Sequence, residues 1–145
     1  MTRAYRKFLH TTGKLHPEGL FHIEGLQERV IALTIDDGPS PRTREILDLL
    51  RRHDSRATFF LHTDRLENHG GRKLVQHLVA AGNEIANHMP EDRPSILLSP
   101  VEFEVEFARA HDFLVGLGQS PRFFRAAGGF FHVERMLPSL RRLSY

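Results

Sequence analysis

The sequence predicts an α/β domain built on a parallel sheet. Three observations carry that expectation. Short apolar runs of strand length alternate with longer, helically patterned segments; the units recur at roughly 30 residues, the span of a strand–helix–strand unit. Chemically capable side chains then fall where the strands should end. The right-handed crossover between parallel strands places all their C-terminal ends on one face, where sheets of this class build their sites.

Each element has its own signal. Val30–Ile35 is an apolar and β-branched run that ends in Asp36-Asp37-Gly38-Pro39, a buried strand closed by turn residues. Neighbouring strand residues point to opposite sides, so one carboxylate of the pair can face a metal and the other a reacting water. Ser40-Pro41 suits a helix start, and a helix over Arg42–Arg52 turns Ile46, Leu47, Leu49 and Leu50 inward. Arg56–Leu61 is a second strand by its β-branched and aromatic content, His62–Gly71 a loop, and Arg72–Ala81 a helix closed by Gly82. Asn83–Asn87 is a short third strand that enters a loop over His88–Leu98. Ser99 and Glu102 have capping-box spacing and open a helix to about Leu117, with Phe103, Phe107, Ala110, Leu114 and Leu117 as its apolar stripe. Arg122–Ala126 is a fourth strand, Gly128-Gly129 a loop, and a last helix from His132 should be kinked or split by Pro138. Met1–Glu28 is weakly patterned and broken by Gly13, Pro17, Gly19 and Gly25, a lead-in to a domain over residues 29–145.

Bulk properties exclude several classes. A chain of 145 residues, 40% hydrophobic and 26% charged, has the size and composition of one globular domain. A net charge of +2 with no cationic run argues against a nucleic-acid partner. Cysteine is absent, which removes disulfide and thiolate chemistry. Neither a signal-peptide core nor a membrane-length apolar run is visible, so no membrane partner and a cytoplasmic location are expected.

Alone, Asp-Asp-Gly-Pro-Ser is also ordinary turn chemistry; its companions change that reading. T-I-D-D-G-P (Thr34–Pro39), N-H-M-P-E-D-R-P-S (Asn87–Ser95) and F-F-R-A-A-G-G-F-F (Phe123–Phe131), with A-T-F-F at Ala57–Phe60, resemble in order and spacing the first motifs of the polysaccharide deacetylases. These are the NodB-homology, chitin-deacetylase-like enzymes of carbohydrate esterase family four. The resemblance implies the N-terminal portion of a distorted (β/α) barrel, shortened. It also implies a metal-dependent hydrolase that removes N-acetyl groups from an amino-sugar polymer or oligosaccharide.

By that resemblance Asp36 is the catalytic base and Asp37 a metal ligand, with His88 a second ligand. Where the family places another His, four residues on, this chain has Asp92, still a competent oxygen ligand for zinc, cobalt or a harder ion. Glu91 ranks behind Asp92, and His62 and His69 are read as loop histidines. Arg125 corresponds to the arginine that pairs with the base and favours its charged form. The Gly128 amide corresponds to the oxyanion-stabilising position, in a loop that lacks the family's usual prolines. The family's later motifs, with its general acid, have no counterpart before Tyr145. The expected partners are therefore an N-acetylated carbohydrate and a C-terminal segment of the same domain. The competing expectation is a fragment that binds metal or carbohydrate without turnover.

Overall fold

The computed structural model describes residues 11, 19–20, 30–67 and 70–145. The chain divides into two units, Met1–Ile31 and Ala32–Tyr145. The lead-in reading of residues 1–28 lies almost wholly outside the described residues, as does His69. The sheet and helices named below belong to the second unit.

Three parallel strands form its sheet, in the order β1 (Thr34–Gly38), β2 (Thr58–Leu61) and β3 (Glu84–Asn87). Between them run α1 (Thr43–Arg52), the short α2 (Thr63–Glu67) and α3 (Gly71–Ala80). A 3₁₀ turn over Ser95–Leu97, α4 (Pro100–Gly116) and α5 (Val133–Arg142) complete the fold. Side chains alternate across the strands, so Phe59, Leu61 and Ile85 meet Leu47 and Leu50 of α1 and Val75 and Leu78 of α3 in one buried cluster. A second cluster joins Phe103 and Phe107 of α4 to Ala126, Ala127 and Met136. Phe124 lies edge-on to both phenylalanines, at 5.7 and 5.1 Å between ring centres.

Local chemistry explains the helix ends. Ser99 and Glu102 form the expected reciprocal capping box at α4. α3 ends as the glycine signal requires: Gly82, at φ +80°, donates to the Val79 carbonyl while Asn83 donates to that of Leu78.

Several expectations need correction. The first strand begins at Thr34 rather than Val30; Val30, Ile31 and Leu33 are exposed, and only the Leu33 carbonyl meets β2, accepting from the Thr58 N–H at 3.0 Å. Asp36 and Asp37 therefore belong to β1 itself. The loop expected over His62–Gly71 contains α2, whose Leu66 is buried in the first cluster. Leu49 is exposed, while Leu47 and Leu50 face inward. The fourth strand is reduced to one parallel bridge, Asn87 to Phe124, flanked by Asn87 N–H to the Phe123 carbonyl and Arg125 N–H to that of Asn87. The ladder stops because β3 ends there: His88 donates back to the Leu61 carbonyl and Met89 turns at φ +70°. Pro138 does not split α5, which runs as one helix with Met136 and Ser139 buried. Packing outweighs the single amide donor that proline removes.

Phe107 is fully buried between Phe103, Phe124 and Tyr145. Phe107→Ala should cost ~3–5 kcal/mol, whereas Val105→Ala on the exposed side of the same helix should stay within ~0.5 kcal/mol. Urea unfolding measures both, and equal losses would refute this assignment of the core.

The Tyr145 hydroxyl accepts from Asn87 Nδ2 at 3.2 Å and lies 3.1 Å from His111 Nδ1. Burial pushes its phenol up to about 12, against the Asn87 hydrogen bond. Its folded value lies above the ordinary 10.0, so its contribution to stability is complete below that pH and is lost as pH rises through about 12. Denaturation series between these limits should show falling stability, and Tyr145→Phe should flatten the slope.

Candidate metal centre

The site follows from strand register. Gly38 pairs with Leu61, and Leu61 with Asn87. The next residues on the last two strands are His62 and His88, which therefore stand side by side beyond the sheet's C-terminal edge. Their backbone amides extend the ladder, His62 N–H to the Gly38 carbonyl at 2.8 Å and His88 N–H to that of Leu61 at 3.2 Å. The imidazoles stack with ring centres 4.7 Å apart. Gly38 fits here because a Cβ would come within 2.6 Å of Leu61 Cδ2.

Asp37 reaches them from β1 through an irregularity. The β1–β2 register shifts between Ile35 and Gly38, and Asp37 sits at φ +59°. A bulge of this kind re-aims a side chain, and aspartate tolerates the left-handed region better than most residues. Asp37 Oδ1 lies 3.2 Å from His62 Nε2 and 3.3 Å from His88 Nε2. One ligand atom from each of Asp37, His62 and His88 lies within 4.8 Å of the others. Both histidines are buried while the Asp37 side chain is 60% exposed, so the cluster opens to solvent through its carboxylate.

These donors fit a divalent cation. The His88 Nδ1 lies 2.8 Å from the Arg125 carbonyl oxygen and must donate to it. That fixes the tautomer, so in the neutral ring the Nε2 lone pair faces a carboxylate oxygen. Two acceptors at that separation repel unless a positive centre lies between them. A tetrahedral ion with ligand distances of about 2.0–2.1 Å sets its donors close to 3.3 Å apart, near the separations observed. Burial first, then the adjacent His88, hold His62 below the ordinary imidazole value against the Asp37 hydrogen bond. Burial thus favours the neutral imidazole, the form that can ligate a metal. Its Nδ1 is buried without a partner among the described residues.

The other candidates surround this centre. Asp36 is held by Arg125, whose Nη1 lies 2.5 Å from its Oδ1 and 3.0 Å from Thr34 Oγ1. The Arg125 guanidinium also covers the Phe60 ring at 4.1 Å. Asp92 stands outside the triplet: its Oδ1 is 4.0 Å from His62 Nε2 and its Oδ2 3.6 Å from Arg65. Arg65 donates in turn to the Asp37 backbone oxygen. Glu91 lines a small cavity with Met89, Arg93 and Glu106 and is not part of the triplet. Gly128 is exposed at φ +77°, packed close to Pro94, in a loop anchored by the Ser95 N–H to Ala127 carbonyl bond.

His62, read from the sequence as a loop histidine, follows β2 directly and stands in the triplet with Asp37 and His88. Arg65 was missed because α2 was read as loop. Among the described residues no helix is long and apolar enough to cross a membrane.

The site is thus a two-histidine, one-carboxylate cluster at the C-terminal edge of a parallel α/β sheet, with a second aspartate held by an arginine, a donor set suited to a divalent ion. Residues 24–145 match the polysaccharide deacetylase family, and the chain belongs to it. It is 33% identical over 106 residues to a peptidoglycan-N-acetylglucosamine deacetylase of Bacillus cereus, which covers 72% of this chain and 49% of that protein. The family 4 carbohydrate esterase of Streptomyces lividans, solved in complex with acetate, superposes with a TM-score of 0.72 at 28% identity, covering 79% of this chain and 58% of that one. A family 4 acetyl xylan esterase of Clostridium thermocellum, solved with a cobalt ion, gives 0.64 at 29% identity, over 70% of this chain and 50% of its own. The chain thus has the α/β arrangement of part of the family 4 barrel and spans about half the length of these relatives.

Proposed function

We propose that the chain carries the metal-binding and base-bearing half of a deacetylase site that hydrolyses N-acetyl groups on amino-sugar polymers or oligosaccharides. The observation that carries the reading is the convergence of Asp37, His62 and His88 beside an Asp36 held by Arg125. The relatives named for peptidoglycan and chitooligosaccharide deacetylation supply the substrate class. In this reading Asp37, His62 and His88 hold a divalent ion, zinc or cobalt by the donor set. When bound, the ion supplies Lewis acidity toward the acetyl carbonyl.

The chain's own residues do the rest. Asp36 accepts a proton from the attacking water, and Arg125 fixes its direction and charge. The His88 Nδ1–H to Arg125 carbonyl bond ties the ligand shell to the residue that orients the base. The Gly128 amide, on its exposed loop, is the proposed donor to the developing oxyanion. Asp92 and Arg65 steady Asp37 and His62 from outside. The domain reading assigns this machinery to residues 29–145.

The ligand assignment has a direct measurement. Titration calorimetry with cobalt should show His62→Ala and His88→Ala losing ~100-fold or more in affinity, and Asp92→Ala nearer ~10-fold, the scale of a group that only orients a ligand. Equal losses at His62 and Asp92 would place the carboxylate in the ligand shell instead.

Activity is tested by acetate release from N-acetylglucosamine oligomers with added zinc or cobalt. Asp36→Asn should lower the rate ~10²–10⁴-fold, the usual contribution of a positioned base, while leaving metal affinity almost unchanged. The second reading, a domain that binds metal or carbohydrate without turnover, is favoured by one observation. Asp92 stands at the family's further histidine position and pairs with Arg65. Tight metal binding with no acetate released from any oligomer would select it.

A further inference from the structure

Next to the centre lies a groove that the reaction as written does not use. It has a volume of about 630 Å³ and is lined by Pro39, Ser40, Thr43, Arg44, Arg65 and Leu74, among others. Two of its lining residues link it to the metal centre. Pro39 follows the Asp37-Gly38 step, and Arg65 both lines the groove and donates to the Asp37 carbonyl oxygen.

Its charge is one-sided. Two guanidinium groups line it, and no carboxylate does among the described residues. Arg65 shares its charge with Asp92 at 3.6 Å. Arg44, exposed in the first turn of α1, makes no ion pair or hydrogen bond with any described residue. Glu45, the first-turn acid of α1, is exposed and does not line the groove. The amino-terminal end of α1, with Ser40 and Thr43, adds a field of the same sign. Pro39 and Leu74 offer an apolar flank to a sugar ring.

We propose that this groove seats a negatively charged substituent of the sugar substrate, a carboxylate or a phosphate on the ring bearing the N-acetyl group or on its neighbour, with Arg44 as the anchor. The inference rests on the deacetylase reading and narrows its substrate class. A planar guanidinium offers paired donors that match either anion. A wholly neutral chitin-type oligomer would leave Arg44 without a partner.

The experiment is an NMR-detected titration of the full chain, zinc added, with N-acetylmuramic acid, N-acetylglucosamine 6-phosphate and N-acetylglucosamine. The anionic sugars should bind ~5-fold or more tightly than the neutral one, the scale of a partly exposed charge-assisted contact. The advantage should shrink at ~1 M salt. Arg44→Ala should bring all three to the same affinity, and Arg44→Lys should restore part of the difference. Preference for only one anion supports the groove and identifies its source. Equal affinities in the unaltered chain, a preference that survives Arg44→Ala, or no sugar binding at all would overturn it. Acetate release, followed in parallel, separates the two readings. An Arg44-dependent preference without turnover leaves the groove standing and removes the deacetylase assignment, while turnover without preference does the reverse.

Discussion

Strand register is the constraint on which the candidate site depends. The pairs Gly38–Leu61 and Leu61–Asn87 close the three parallel strands at one level. Only then do the residues that follow, His62 and His88, stack beside Asp37. A slip of one residue at β2 or β3 would turn the imidazole to the opposite face and exchange the buried Phe59 and Leu61 for their neighbours. The apolar clusters that hold the sheet against α1, α3 and α4 therefore also specify the site. Packing and chemistry share one geometric cause.

Burying two imidazoles against a carboxylate is unfavourable unless something compensates. The His88 bond to the Arg125 carbonyl satisfies one ring nitrogen, while His62 Nδ1 is left without a partner. The flanking backbone is unusual on both sides, with Asp37 at φ +59° and Met89 at φ +70°. Residues held in sparsely populated conformations cost of order 1–3 kcal/mol each and cluster where function needs a particular direction. Their concentration around one triplet matches the donor arrangement. This short stretch of fold departs from the most relaxed backbone on both sides of the triplet.

Most of the architecture was legible because it rests on local signals. The capping box at Ser99, the apolar stripe of α4 and the glycine after α3 act within a few residues, and each stands where the sequence places it. Misreadings arose where distant contacts decide. Val30–Leu33 has strand composition, but only the Leu33 carbonyl reaches β2, accepting from the Thr58 N–H, and Arg122–Ala126 meets β3 only where β3 is ending. α2 carries a single strong buried anchor, Leu66, too little for a periodic signal. The adjacent carboxylates were readable as a candidate pair at a strand end. The bulge that turns Asp37 toward the histidines was not, since a register shift is a property of two strands together.

The position of Asp92 shows how a site of this kind can tolerate a changed motif. A loop residue four positions beyond His88 must curl back to reach the centre, whereas His62 arrives there by strand pairing alone. Once the strand end supplies the second imidazole, the loop no longer has to place a ligand. Its residue can carry a carboxylate, provided the added negative charge is met. Arg65 meets it, standing between Asp92 and the Asp37 backbone. In the proposed arrangement the ligand charge remains that of one carboxylate and two imidazoles, with Asp92 neutralised one step outside. In that arrangement the short helix α2, by bringing Arg65 to Asp92, offsets the loop carboxylate's charge, and His62 supplies the imidazole that position 92 does not.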